Sequence, residues 1–206
     1  MRISRDRRAA IVALADEVRA PGDLVVDIGA DHGHVAHALG GIATERAPGR
    51  SGRHDVPWVL ADGLRGLRRA DIAIIAGMGF RTIAGILERG PRPRHAILHA
   101  PDDPQSLRLW LGDHGYRIDD ETLAQEGPRF AEVIRTVEGP ETHTGEALAL
   151  GPVLCARGHP LLTPHLTRLR QRLAALATAT AGRQPTKHAS CVRRIAEIDR
   201  ILTATR

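Results

Sequence analysis

Aromatic side chains are nearly absent from this chain, which has two Trp, two Phe and one Tyr in 206 residues. A core must then be built from Ala, Val, Ile and Leu, and base-stacking aromatic platforms of the single-strand-binding kind are not expected. Cysteine is equally scarce. Cys155 and Cys191 are too few and too far apart for a zinc knuckle or a disulfide framework, and read as reduced thiols. No run of eighteen apolar residues occurs, and no apolar stretch of signal-peptide length follows the charged start MRISRDRRAA. A soluble, cytoplasmic protein with no membrane partner is expected. Lysine is reduced to Lys187 against twenty-eight arginines.

What is present is enough for one sizeable domain with an appendage, since 42% of the residues are hydrophobic. The net charge of +5 is unevenly placed. Residues 155–206 hold ten Lys/Arg against two Asp/Glu, a net of +8, which leaves −3 for residues 1–154. A basic C-terminal arm on a slightly acidic body suggests attraction to a polyanion, nucleic acid above all.

The most informative stretch is 23–34, DLVVDIGADHGH. Leu24, Val25, Val26 and Ile28 run on without alternation, as in a strand buried on both faces of a parallel sheet. Asp27 interrupts the run near its carboxyl end, where ligands bind in open α/β sheets. Gly29 allows a tight turn and close approach of a ligand, and Gly33 opens the next helix.

The remaining elements follow in order. Residues 4–19 carry Ile11, Leu14, Ala15 and Val18 at helical spacing, and Pro21-Gly22 ends that helix. After a helix at about 33–39, Ile42–Thr44 is a short strand ending at Glu45. Val56, Trp58, Val59 and Leu60 form another, ending in Asp62-Gly63. DIAIIA at 71–76 is a buried strand leading through Gly77-Met78-Gly79 into a helix, and HAILHA is the next strand. A helix at 103–114 precedes two alternating segments, 116–123 and 129–138, which read as an antiparallel edge hairpin. Beyond a linker at 139–146, Leu166, Leu169, Leu173 and Leu176, and then Val192, Ile195, Ile198 and Leu202, step by three and four. They predict two helices in an antiparallel hairpin, with Arg168 and Arg172 one turn apart and off the leucine seam. The expected fold is α/β, a mostly parallel sheet with an antiparallel edge hairpin, followed by an α-helical hairpin.

Acids with glycines at three strand ends, Asp27, Glu45 and Asp62, suit an adenosine-containing cofactor. One carboxylate can accept from a ribose diol and another from an exocyclic amine. The G-x-G-x-x-G that seats a diphosphate is missing from DIGADHG, which argues against nicotinamide chemistry and favours S-adenosylmethionine. Asp31 also stands where a helix N-cap is common. Asp31, His32, His34 and His37 allow a rival reading as a metal cluster, but no second ligand group with recognisable spacing accompanies them, and no metal is expected.

The segments DIGADHGHVAHAL, IATERAPG, ADGL, IAGMG, LRLWL and LGPVL, in this order, resemble the TrmK family of bacterial tRNA adenine-N1 methyltransferases over about residues 4–180. The resemblance implies a Rossmann-like, seven-stranded methyltransferase domain at 1–138 and a basic helical hairpin at 147–206. It also implies S-adenosylmethionine as cofactor and methylation of an adenine in the tRNA D-arm, by a monomer or weak dimer. Carried across by position, Asp27, Gly29, Asp31, His32, Glu45, Asp62, Gly63, Ala76, Gly77 and Met78 bind the cofactor, with Glu45 on the ribose and Asp62 on the adenine side. Asp31 acts at the target base, where a carboxylate opposes the positive charge of N1 alkylation and accepts the N6 proton. Arg168, Arg172, Arg193 and Arg194 of the hairpin contact RNA.

Three departures from the family pattern stand out. Between Glu45 and Asp62 the family has a helix, whereas this chain has RAPGRSGRHDVPWVLA. Phe80 replaces a glycine, and His99-Ala100-Pro101 replaces Gln-Pro-Asn, removing an amide suited to the target base. They leave two alternatives, a catalytically weakened relative that binds tRNA without methylating it and a metal-dependent hydrolase built on DHGHVAH.

Overall fold

The computed structural model describes residues 6–47 and 55–204. Its centre is a seven-stranded sheet of β1 (Val25–Ile28), β2 (Ile42–Glu45), β3 (Trp58–Leu60), β4 (Ile72–Ala76), β5 (His95–His99), β6 (Tyr116–Glu126) and β7 (Arg129–Glu138), in the order β3-β2-β1-β4-β5-β7-β6. The first five strands are parallel. The chain leaves β1 toward β2 and β3, then returns to pair β4 with the other side of β1. The switch point that binds ligands in such sheets therefore lies between the carboxyl ends of β1 and β4.

Local sequence explains the elements. All four residues of β1 and the first four of β4 are buried, as continuous β-branched runs require under helices on both faces. In α1 (Arg7–Asp16) the Asp6 side chain accepts from Arg8 N–H at the N-terminus, and Ala10, Ile11, Leu14 and Ala15 are buried. This helix is shorter than its amphipathic pattern predicts, and residues 4 and 5 of that pattern lie outside the described residues. Helices α2 (His34–Leu39), α3 (Phe80–Leu87) and α4 (Pro104–Asp113) fall close to their sequence positions. The expected loss of a crossover helix between β2 and β3 rests largely on residues 48–54, which lie outside the described residues.

The antiparallel pair is present, but its second strand is not at the edge. β7 sits between β5 and β6, with six consecutive buried residues. The apolar/polar alternation of 129–138 reflects buried ion pairs instead of a wet face. Arg108 of α4, fully buried, binds Glu121 of β6 at 2.7 Å and Glu132 of β7 at 2.6 Å. Arg135 of β7 binds Asp119, Asp120 and Glu17.

Two short helices, α5 (Gly145–Ala149) and α6 (Pro152–Arg157), occupy a region that sequence periodicity leaves unassigned, because five or six residues are too few to show a period. Glu121 accepts from Val153 N–H at 2.9 Å and so anchors the start of α6 on the sheet. The tail hairpin comprises α7 (Leu162–Thr180) and α8 (Pro185–Ala204). Leu166, Leu169 and Leu173 are buried as expected, but Leu176 is 36% exposed and Ala177 takes the inner place. In α8 Ile198 is buried and Ile195 and Leu202 pack against the same cluster as expected, but at the start of the seam Cys191 is buried in place of Val192, which is 48% exposed. The hairpin packs through Leu150, Leu154 and Leu166 onto Leu123 of β6.

Candidate active site at the carboxyl ends of β1 and β4

The turn after β1 is held against β2 by Gly29 N–H and Ala30 N–H, which both donate to the Thr44 carbonyl. Gly29 has φ +64°, and a Cβ there would overlap Met78 Cε of the turn after β4. The Met78 side chain thus reaches across the switch point to the β1 turn, and the left-handed backbone at Gly29 favours glycine. Asp31 follows with φ +51°, the only non-glycine positive φ among the described residues. Its N–H donates to Glu45 Oε1 at 3.1 Å, so the carboxylate at the end of β2 fixes the turn at the end of β1. The Asp31 side chain is 81% exposed beside His32, at 3.5 Å.

Asp27 lies near the carboxyl end of β1, where its sequence position puts it. It is buried, and its Oδ2 accepts from Ala36 N–H at 3.2 Å inside the first turn of α2. Burial pushes its carboxyl up to about 6; the Ala36 bond opposes this and the Glu45 charge adds to it. Asp27 thus pins α2 under the turn. Asp31 makes no helix cap: the N-cap of α2 is Gly33, with φ +68° and no side-chain bond. A left-handed residue at the helix entry aims the chain so that the acid one strand below, not the one two residues before, reaches the free amides.

The other predicted residues line the same rim. Asp62 is exposed after β3, next to Leu60, which is 66% exposed, while Gly63 is buried with Ile86 packed where a Cβ would stand. Ala76, Gly77 and Met78 close the end of β4, and Gly77 (φ +78°) faces open space. Asp102 accepts from Phe80 N–H at 3.1 Å and so holds the entry of α3. Of DHGHVAH, His37 pairs with Asp55 at 3.1 Å and His32 with Asp31. Among the described residues no three His, Cys, Asp or Glu side chains converge as a metal site.

The four tail arginines separate into two groups. Arg168 and Arg172 line a cavity at the carboxyl end of β5 together with Arg7 and Arg129, which sequence reasoning missed. Arg193 and Arg194 lie elsewhere, on α8, where both face Glu146 (3.7 and 3.2 Å). Arg129 begins β7 and Arg7 opens α1, so only the folded sheet brings them to the hairpin. No helix among the described residues is long and apolar enough to cross a membrane.

Comparison with known proteins agrees with this geometry. The chain aligns with TrmK of B. subtilis, the M1A22 tRNA methyltransferase, at 21% identity and TM-score 0.74, covering 98% of this chain and 99% of that one. It aligns with M. capricolum TrmK, solved with the cofactor product S-adenosyl-homocysteine, at 17% identity and TM-score 0.76 over the whole of both chains. The Streptococcus pneumoniae protein Sp1610 is 23% identical with TM-score 0.79, covering 96% and 99%. These likenesses establish a Rossmann-like sheet with a C-terminal helical hairpin. No curated protein matches in sequence. The profile of the family described as TrmK, tRNA (adenine(22)-N(1))-methyltransferase, matches residues 42–200, about three quarters of the chain. The chain belongs to the TrmK family of tRNA (adenine(22)-N(1))-methyltransferases.

Proposed function

We propose that the β1–β4 crevice binds S-adenosylmethionine and that the chain transfers its methyl group to N1 of adenine 22 of tRNA. The observation that carries this is the meeting of the two turns: Gly29 is left-handed with the Met78 side chain against it, Gly77 faces open space, and Glu45, Asp31 and Asp62 stand on the same rim. These residues fit the cofactor. Glu45 and Asp62 offer carboxylates to a ribose diol and an adenine amine, and the exposed Leu60 beside Asp62 supplies an apolar face for a purine. Sp1610 has been solved with S-adenosyl-L-methionine and M. capricolum TrmK with its product, which supports the same cofactor here.

When bound, the cofactor supplies a methyl group on a positively charged sulfur. Its transfer to the lone pair of adenine N1 would leave the sulfur neutral and the base positively charged. The exposed Asp31 carboxylate is placed to oppose that charge and to take an N6 proton. Its backbone is held by Glu45, so ribose binding and placement of the acid are coupled through one hydrogen bond. Arg7, Arg129, Arg168 and Arg172 lie toward β5 from this rim and suit the phosphate backbone. The test is to incubate the protein with labelled S-adenosylmethionine and unmodified tRNA, with adenine or guanine at position 22. N1-methyladenosine at position 22 of the first tRNA alone is expected. Label in neither, or in both equally, contradicts the reading.

A further inference from the structure

The cavity at the carboxyl end of β5 is built from the sheet on one side and α7 on the other, and has a volume of about 390 Å³. Four polar side chains in its wall are about nine-tenths buried or more; Glu132 and His165 pair with each other, which leaves His99, the last residue of β5, and Gln105, in the first turn of α4. His99 Nδ1 lies 3.0 Å from the Glu132 carbonyl oxygen. A carbonyl only accepts, so Nδ1 carries the hydrogen and Nε2 is left as an acceptor. Burial pushes the ring below the usual imidazole pKa and keeps it neutral. Neither His99 Nε2 nor the Gln105 amide has a hydrogen-bond partner among the described residues, yet neither is sealed from solvent. The cavity wall therefore presents an acceptor from one side chain and a donor from the other.

The acids in the wall are already occupied. Glu132 binds Arg108 and His165, Glu126 faces Arg7 at 3.7 Å, and Asp102 holds Phe80 N–H. Arg129 and Arg172 have no acidic partner among the described residues, and Phe130 is half-buried between them and His165. Cations free for phosphate, an aromatic wall and a buried acceptor–donor pair match an unstacked nucleotide. The cavity also adjoins the methyl-transfer rim. The His99 carbonyl accepts from Gly77 N–H at 3.0 Å, and β5 is about one and a half strand spacings, roughly 7 Å, from the β1–β4 crevice.

An acceptor beside a donor reads an amine next to a ring nitrogen. Adenine shows that pattern on two edges, but the edge containing N1 must stay open to the methyl group. The other edge, N6 and N7, is free. Resting on the function proposed above, we propose that this cavity takes the target adenine by its N6/N7 edge. His99 Nε2 accepts from one N6 hydrogen, the Gln105 amide donates to N7, and Arg129 and Arg172 hold the flanking phosphates. The second N6 hydrogen, on the N1 side, is left for Asp31. Guanine would turn its O6 toward the His99 lone pair and be refused.

The test changes atoms of the RNA and leaves the protein fold alone. Binding of tRNA bearing adenine, 7-deazaadenine or purine at position 22 is measured in the presence of S-adenosylhomocysteine, for wild type and Gln105→Ala. Loss of N7 should weaken wild-type binding about fivefold, the worth of one hydrogen bond, and loss of the amine by a similar factor. Gln105→Ala should bind adenine and 7-deazaadenine equally while still distinguishing purine. Equal wild-type affinities for all three, or a 7-deaza penalty that persists in Gln105→Ala, overturns the proposal. Atom-specific binding without any methyl transfer would instead overturn the proposed activity and leave the base pocket standing.

Discussion

Asp27 was legible in the sequence as the acid before the β1 turn, and in the fold it is buried and accepts from Ala36 N–H. Its carboxyl is pushed up to about 6 from 3.8, so the folded chain binds a proton that the unfolded chain releases. Stability from this group is present below pH 4 and lost as pH rises to about 6. Asp27→Asn keeps an acceptor for Ala36 without the charge. Without cofactor it should be more stable than wild type above pH 6, by on the order of 1–3 kcal/mol, and no more stable below pH 4. Urea melts of both proteins from pH 4 to 8 read this directly; a gap that ignores pH would remove burial of the charge as the cause. At Gly29 the constraint is chiefly the backbone, since φ is +64°, and the end of the Met78 side chain, which fills the place of a Cβ, would also have to move. Gly29→Val should abolish calorimetric binding of S-adenosylmethionine while the circular dichroism spectrum is kept. Unchanged affinity would move the cofactor away from this turn.

Among the elements, the parallel strands were legible because each is a short apolar run, ended by an acid or a glycine in all but β5, which Pro101 follows. The antiparallel edge hairpin was legible too, but not the burial of β7, because alternation cannot distinguish a solvent face from buried ion pairs: Glu132 and Arg135 have their partners on α4, on β6 and at the end of α1. The helix seams were legible to within one residue. The tail charge was legible as a sum, but not its division: Arg193 and Arg194 face Glu146, whereas Arg168 and Arg172 open onto the β5 cavity. Arg172→Gln with Arg168→Gln should therefore weaken tRNA binding and reduce its logarithmic salt slope by about two, one for each phosphate left without its arginine. Arg193→Gln with Arg194→Gln should change the slope by much less. Titrations at several salt concentrations decide, and equal effects of the two pairs would show that the hairpin acts only through its total charge.

Across the whole molecule, the basic hairpin and the sheet are joined more closely than a linker at 139–146 suggests. Leu123, Leu150, Leu154, Leu162 and Leu166 form one cluster across β6, α5/α6 and α7, and His165 of α7 reaches the buried Arg108–Glu132 pair through Glu132, at 3.3 Å. Removing residues 155–206 would uncover that cluster, so the tail is better tested by charge substitutions than by truncation. Trp58 and Trp110 belong to the sheet and its helices, whereas much of the helical signal comes from α7 and α8. Urea unfolding followed by fluorescence and by far-ultraviolet circular dichroism should superimpose in a single transition. Two separated midpoints would mean that the sheet and the hairpin fold independently.

The account as a whole depends on a carboxylate at the junction of cofactor and base. Asp31→Asn preserves the shape and backbone of that turn and removes the charge opposing the cation on adenine. The decisive measurement is the single-turnover rate of methyl transfer to unmodified tRNA by wild type and Asp31→Asn, beside their dissociation constants for S-adenosylmethionine. The rate should fall on the order of a hundred- to a thousand-fold, with cofactor affinity little changed. Equal rates, or a loss explained entirely by weaker cofactor binding, would contradict it.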